Sequence, residues 1–125
     1  MDLVCSEVTE GVLSAAFEVH RELGPGLLES TYRKCLEHQL RLNGLSVRCE
    51  VPIAIRYKRL AIEASYRADL VVDETVLVEL KSVERLLSIH EVQALTYLKL
   101  SGLRVALLLN FNAVSLRNGL KRFVC

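Results

Sequence analysis

Tryptophan is absent from the 125 residues, methionine occurs once, and aromatic residues make up only 6% of the chain. Proline is used twice and glycine six times, too sparingly for a collagen-like or low-complexity segment. The four cysteines, Cys5, Cys35, Cys49 and Cys125, are scattered, with no CxxC spacing and no histidine at ligand distance. That pattern argues against a zinc ribbon or a disulfide scaffold, and the cysteines read as reduced thiols. No stretch approaches the roughly 18 consecutive apolar residues of a membrane span. The first residues show neither the basic start nor the apolar run of a secretion signal, so the expected compartment is the cytoplasm, with no membrane partner. An excess of one charge sign is missing too: 16 Lys+Arg against 15 Asp+Glu leave a formal net charge of +1. Bulk charge therefore cannot attract a polyanion, and a nucleic-acid site would have to be local or built with bound metal.

What the chain has is apolar residues, 51% of the total, with a mean hydropathy of +0.29. The length fits one globular domain spanning residues 1–125, with enough chain to bury a single core. An apolar share at the upper edge for a soluble protein implies surface that a second copy would cover, so a homodimer is expected.

From Ser6 to Leu23 the apolar positions Val8, Val12, Ala15, Ala16, Val19 and Leu23 recur at three- and four-residue steps, the signature of an amphipathic helix. Gly24-Pro25-Gly26 stops it. A second helix is expected from near Leu27 to Asn43-Gly44, with Leu28, Tyr32, Cys35, Leu36 and Leu40 on one stripe. The period then shortens: Val47, Cys49, Val51, Ile53, Ile55 and Tyr57 alternate with polar or small residues, as in a half-buried strand with one apolar face. Pro52 cannot donate a ladder bond, which places this strand at a sheet edge or a bulge. Lys58-Arg59 reads as a turn. Leu60 to Val72 and Val76 to Ser82 follow as an antiparallel hairpin around Asp73-Glu74-Thr75. A third helix is expected from about Ser88, as its cap, to Ser101, with Gly102 as its stop. Val105-Ala106-Leu107-Leu108-Leu109 suits a strand covered on both faces. After a turn at Asn118-Gly119, Leu120 to Val124 would add a small edge strand. The order describes an α/β sandwich of mixed strand direction.

Chemistry is concentrated on the hairpin. Glu79 and Lys81 are two apart in a strand and so project from one face, away from Val78 and Leu80. If Asp69 joins them, two carboxylates offer hard oxygen ligands to a divalent ion such as Mg²⁺, and Lys81 can orient a water or steady charge on a phosphate. The turn decides whether it does. A two-residue turn at Asp73-Glu74 sets Asp69 opposite Val78, on the wrong face, whereas a three-residue connection or a bulge sets it opposite Glu79.

Gly26-Leu27-Leu28-Glu29-Ser30-Thr31-Tyr32 resembles the GxxExxY signature of the bacterial and archaeal GxxExxY proteins, a family placed in the PD-(D/E)XK nuclease-like superfamily. The similarity spans nearly the whole chain, including the segments 18–26, 66–70, 78–81, 95–99 and 110–112. It implies an α/β/α sandwich with a mixed central sheet: an α-β-β-β-α-β restriction-endonuclease-like core, here preceded by an extra N-terminal helix. By the same resemblance Asp69 and Glu79 would bind Mg²⁺ (or Mn²⁺), Lys81 would assist the nucleophile, and Glu29 would be the acid contributed by the preceding helix. Gln93-Ala94-Leu95-Thr96-Tyr97 has the form of the Gln-x-x-x-Tyr element found in RecB-like and lambda-exonuclease-like members. An i,i+4 pair turns Gln93 and Tyr97 to one helix face. The superfamily's proline is replaced, Arg67-Ala68 standing before Asp69. Gly26, Tyr32 and Tyr97 are signature positions without an assigned role.

The implied activity is metal-dependent hydrolysis of phosphodiester bonds in DNA or RNA. Two rival readings stand beside it: a catalytically silent nucleic-acid-binding module on the same fold, and a structural homodimer whose charged strand face is incidental. Bland accounts exist for single residues as well. Glu29 sits where a helix dipole favours any carboxylate, and Tyr32 could simply be core. His20, His38 and His90 lack metal-pair spacing, and Asn110 and Asn112 suit a chain turn. The basic residues Arg33-Lys34, Arg56, Lys58-Arg59, Arg117 and Lys121-Arg122 could contact phosphates, though acidic residues are nearly as numerous.

Overall fold

The computed structural model describes residues 5–125, the side chains of residues 64 and 65 excepted. Two helices come first, α1 (Ser6–Leu23) and α2 (Glu29–Leu42), then strands β1 (Val47–Tyr57), β2 (Leu60–Val72) and β3 (Val76–Lys81). Helix α3 (Ser88–Ser101), strand β4 (Val105–Asn110), a 3-10 turn (Leu116–Gly119) and strand β5 (Leu120–Val124) complete the order. The five strands form one sheet in sequence order, antiparallel except for the parallel pair β3 and β4. Helix α3 is the crossover that a parallel pair requires. The result is the expected α/β/α sandwich with a mixed sheet, preceded by α1.

Each layer follows from its apolar stripe. Val12, Ala15, Ala16 and Val19 of α1 join Tyr32, Leu36 and Leu40 of α2 against Val78, Leu80, Leu107 and Leu109 on one sheet face. On the other face Leu98 of α3 meets Leu77, Ala106 and Ile53. Strand β4, covered on both sides, is buried at every position. The α3 side is the thinner layer: only Ala94 and Leu98 of that helix are buried, and Ile89, Val92 and Leu100 stay exposed.

Two local readings of the sequence are corrected. Strand β1 is an edge strand, as Pro52 requires, but it has no single apolar face: Cys49 packs with the α1–α2 core and Val51 with the α3 core. Glu50, at φ 46°, breaks the pleat between them without changing the register, and a register shift follows between Ile53 and Ile55. Helix α3 begins after Leu87, so Ser88 is its first residue rather than its cap. The cap is supplied from within, by the His90 Nδ1 that accepts the Leu87 N–H at 3.0 Å. All four cysteines are free thiols. Burial pushes the Cys49 thiol up to about 11, which keeps it protonated and unreactive. Among the described residues, no helix is long and apolar enough to cross a membrane.

Candidate functional site

The connection between β2 and β3 has three residues. Val72 pairs with Val76, Val71 with Leu77 and Leu70 with Val78. Asp73 and Glu74 both take positive φ, 50° and 55°, and Asp73 Oδ1 accepts from Ser46 N at 2.8 Å and Ser46 Oγ at 2.9 Å. The parity needed to put Asp69 on the Glu79 face is thus set by a turn fastened to the start of β1.

Beyond Leu70 and Val78 the two strands part. Asp69 compensates at the fork: its Oδ2 accepts the Leu80 N–H at 2.8 Å, in place of a strand carbonyl. Glu79 lies beside it with 6% of its surface exposed, and its Oε1 is buried without a hydrogen-bond partner. An unpartnered buried carboxylate oxygen is costly and calls for a proton or a cation. Burial, a hydrogen bond to the Asp69 carboxylate and the charge of that carboxylate push Glu79 up to about 10, against a smaller opposing effect of Lys81.

Lys81 ends β3 on the same face. Its Nζ donates to Gln93 Oε1 at 3.5 Å, and Gln93 Nε2 donates to Tyr97 Oη at 3.3 Å, a relay along one face of α3. Tyr97 is raised by burial and then by the nearby Glu79 charge, with Gln93 acting against both. From the opposite layer Glu29, the first residue of α2, reaches the same fork. Partial burial raises its carboxyl above the ordinary range, Asp69 adds to this, and Lys81 and Arg33 oppose it. The fold therefore brings Glu29, Asp69, Glu79, Lys81, Gln93 and Tyr97 together at the open end of the β2–β3 pair.

Gly26 and Tyr32 stand outside this group and shape the turn that aims Glu29. Gly26 has φ 104°, open to glycine and strained for other residues. Tyr32 is fully buried, stacked on Phe111 with ring centroids 4.8 Å apart. Its hydroxyl donates to Gly24 O at 2.5 Å and accepts from Leu27 N at 3.1 Å. Sequence reasoning gave Asn110 and Asn112 no role beyond turning the chain, yet they are a latch. Asn110, 2% exposed, accepts from Val83 N and Asn112 N and donates to Val83 O. Asn112 Oδ1 accepts from Gly26 N at 3.0 Å, and Ser82 Oγ donates to Leu27 O at 2.6 Å. The latch ties the end of β3 to the turn before Glu29. Its one sequence signal is a pair of amides ending an otherwise apolar strand.

The donor set suits a hard divalent ion. Among the described residues no three His, Cys, Asp or Glu side chains converge closely enough to enclose a metal. Mg²⁺ does not need that, since it binds through one or two carboxylates and keeps several waters. Asp69 and Glu79 meet this requirement, and the unpartnered Oε1 is an oxygen ready for a ligand role.

No curated protein and no solved structure matches the chain. The family model described as PD-(D/E)XK nuclease superfamily matches residues 6–123. A match over nearly the full length, on a fold that carries Asp69 and Glu79-Leu80-Lys81 at the fork of the sheet, means that the chain belongs to the PD-(D/E)XK nuclease superfamily.

Proposed function

We propose that this chain is a metal-dependent nuclease of the GxxExxY kind, acting as one domain, that hydrolyses phosphodiester bonds of DNA or RNA with Mg²⁺ or Mn²⁺ held by Asp69 and Glu79. The observation that carries the reading is the buried Glu79 oxygen without a partner, beside a second carboxylate and within the field of Lys81. Two like charges this close are stable in a buried site only with a shared proton or a cation between them. What a bound divalent ion supplies here is Lewis acidity toward phosphoryl oxygens.

The protein's own groups divide the remaining work. Asp69 is fixed by the Leu80 N–H, which holds its carboxylate beside Glu79. Lys81, held by Gln93 from α3, can orient an attacking water and offset charge accumulating on the phosphate. Glu29, its carboxyl raised by partial burial and by Asp69, would be the further acid that α2 contributes to the site. A homodimer is a separate part of the reading; it would cover side chains the single chain exposes, such as Phe17 and Leu42, and sedimentation measures it.

Purified protein with Mg²⁺ or Mn²⁺ is expected to cut a polynucleotide, and Lys81→Ala to reduce the rate at least about 100-fold, the usual scale for losing a charge-stabilising donor. The variant should keep the wild-type circular dichroism and melting temperature, because Lys81 ends its strand at the protein surface. Wild type and Lys81→Ala equally inert on single- and double-stranded DNA and RNA would contradict the enzyme reading.

A further inference from the structure

Next to the carboxylate fork runs a groove of about 620 Å³, well within the range of ligand-binding pockets. One wall is the outer half of the β1–β2 hairpin, with Ile55 and Tyr66; the other is α3, with Ile89, Val92, Tyr97 and Leu100. Tyr66 is 45%, Ile89 63% and Val92 56% exposed, so these are apolar surfaces the core leaves open. Lys81 and Gln93 lie at the groove's inner end, where it joins the candidate site. Among the described residues no acidic side chain and no arginine lines it, and His90 and Thr96 are the other polar residues on the α3 wall.

That lining is wrong for a duplex backbone and right for bases. Phosphates need cations along the wall, and the groove has the Lys81 ammonium only at its inner end. Its middle offers aliphatic side chains and two tyrosine rings, 6.1 Å apart and tilted by 59°, an arrangement that leaves ring surface available for stacking. A cation where the groove joins the site and an aromatic, apolar stretch leading away from it match a strand whose scissile phosphate lies at Lys81 and whose adjoining bases turn inward. Paired bases have no free face to give such a groove.

We infer that the groove between α3 and the β1–β2 hairpin receives unpaired nucleobases adjoining the scissile phosphate, which makes single-stranded polynucleotide the substrate class, with Tyr66 as a specificity-determining residue. This rests on the nuclease reading, and it is tested by binding rather than cutting. Because the chain has no tryptophan and four tyrosines, a base stacked on Tyr66 and Tyr97 quenches a sizeable part of the protein's own emission. Binding is measured by anisotropy and by tyrosine fluorescence, in EDTA, with a labelled single-stranded oligonucleotide, the same strand in a blunt duplex, an abasic strand of equal length and a mononucleotide.

The expected result is tightest binding and quenching with the single strand, and clearly weaker binding of the duplex and the abasic strand. Tyr66→Ala should weaken single-strand binding by about five- to a hundred-fold, the range for losing one aromatic platform. Tyr66→Phe should restore it. Equal affinity for single strand, duplex and abasic strand, or an unchanged affinity in Tyr66→Ala, would overturn the inference while leaving the metal site untouched. Binding of the mononucleotide as tightly as the strand, or sedimentation showing that a second copy fills the groove, would overturn it as well. Conversely, base-dependent binding in a protein that never cuts would retain the groove and reject the nuclease reading.

Discussion

Among the described residues, Glu79 is moved furthest from its ordinary titration range. Its folded-state pKa of about 10 lies far above the ordinary carboxylate value, so between those two limits the folded state holds a proton that the unfolded state has lost. Stability from this group is fully present below about pH 4.5 and drains away as pH rises toward 10. In EDTA, thermal melts should therefore show a melting temperature that falls with pH across this window. Glu79→Gln, which keeps the shape and can donate to Asp69 as the protonated acid does, should flatten that slope and raise the melting temperature at pH 8. Mg²⁺ should raise it for wild type and not for the variant. A slope unchanged by the substitution would mean that Glu79 titrates normally. The same argument gives metal binding a pH dependence, since the ion must displace the proton that Glu79 holds.

Tyr32 shows how a signature residue can matter without touching chemistry. Its ring packs on Phe111 and its hydroxyl closes the turn between Gly24 and Leu27, one turn of helix from Glu29. Tyr32→Phe keeps the ring and removes two hydrogen bonds, at a cost of about 1–3 kcal/mol in denaturant unfolding. Activity should fall less than in Lys81→Ala, because no charge of the site is lost. A loss of activity as complete as that of Lys81→Ala, with stability unchanged, would give the hydroxyl a direct role instead.

Among the elements, the fork between β2 and β3 is what makes a site out of a sheet. If the two strands stayed paired past Leu70 and Val78, a carbonyl of β2 would take the Leu80 N–H that Asp69 now holds. The fork is kept open by what packs around it: α3 from one side through Gln93, and the turn before α2 from the other through Ser82 and Asn112. Asn110 fastens this second side. Asn110→Ala leaves the Val83 N–H and the Asn112 N–H short of an acceptor and should cost about 2–6 kcal/mol, given about 1–3 kcal/mol for each buried group left unpaired. Hydrogen exchange is expected to quicken first in residues 24–28 and 82–84, the two segments the latch joins. Exchange that quickens evenly over the whole chain would mean that Asn110 supports the core rather than the latch.

At the scale of the molecule, the parts legible in the sequence were those governed by one repeating rule. The stripe of α1 and the doubly buried run of β4 each follow from a period of 3.6 or 2 and from burial, and the layered architecture follows from them, whereas the parity of the Asp73-Glu74-Thr75 turn is decided only by the strand pairing. Exceptions to a period were not legible. The positive φ of Glu50 turns β1 from one core to the other, and nothing in a glutamate announces it. The latch of Asn110 and Asn112 joins segments about 30 and 90 residues apart, and such contacts exist only once the sheet is assembled. The convergence of Glu29 with the hairpin residues likewise needed the resemblance, because spacing alone ties it to nothing. In the sequence Tyr66 is only the first residue of the matching segment 66–70, and its place in the groove emerges only when α3 is set beside it.

The account depends on Asp69 and Glu79 jointly holding a cation at the fork of the sheet. The most direct measurement is a crystal of the wild-type chain grown with Mn²⁺ at pH 8, with anomalous scattering recorded for the metal. The account predicts one strong anomalous peak bridging the two carboxylates, at the roughly 2.0–2.2 Å usual for small hard cations with oxygen ligands. A well-ordered crystal with no peak between these side chains, or with manganese bound elsewhere and both carboxylates turned away from it, would contradict it.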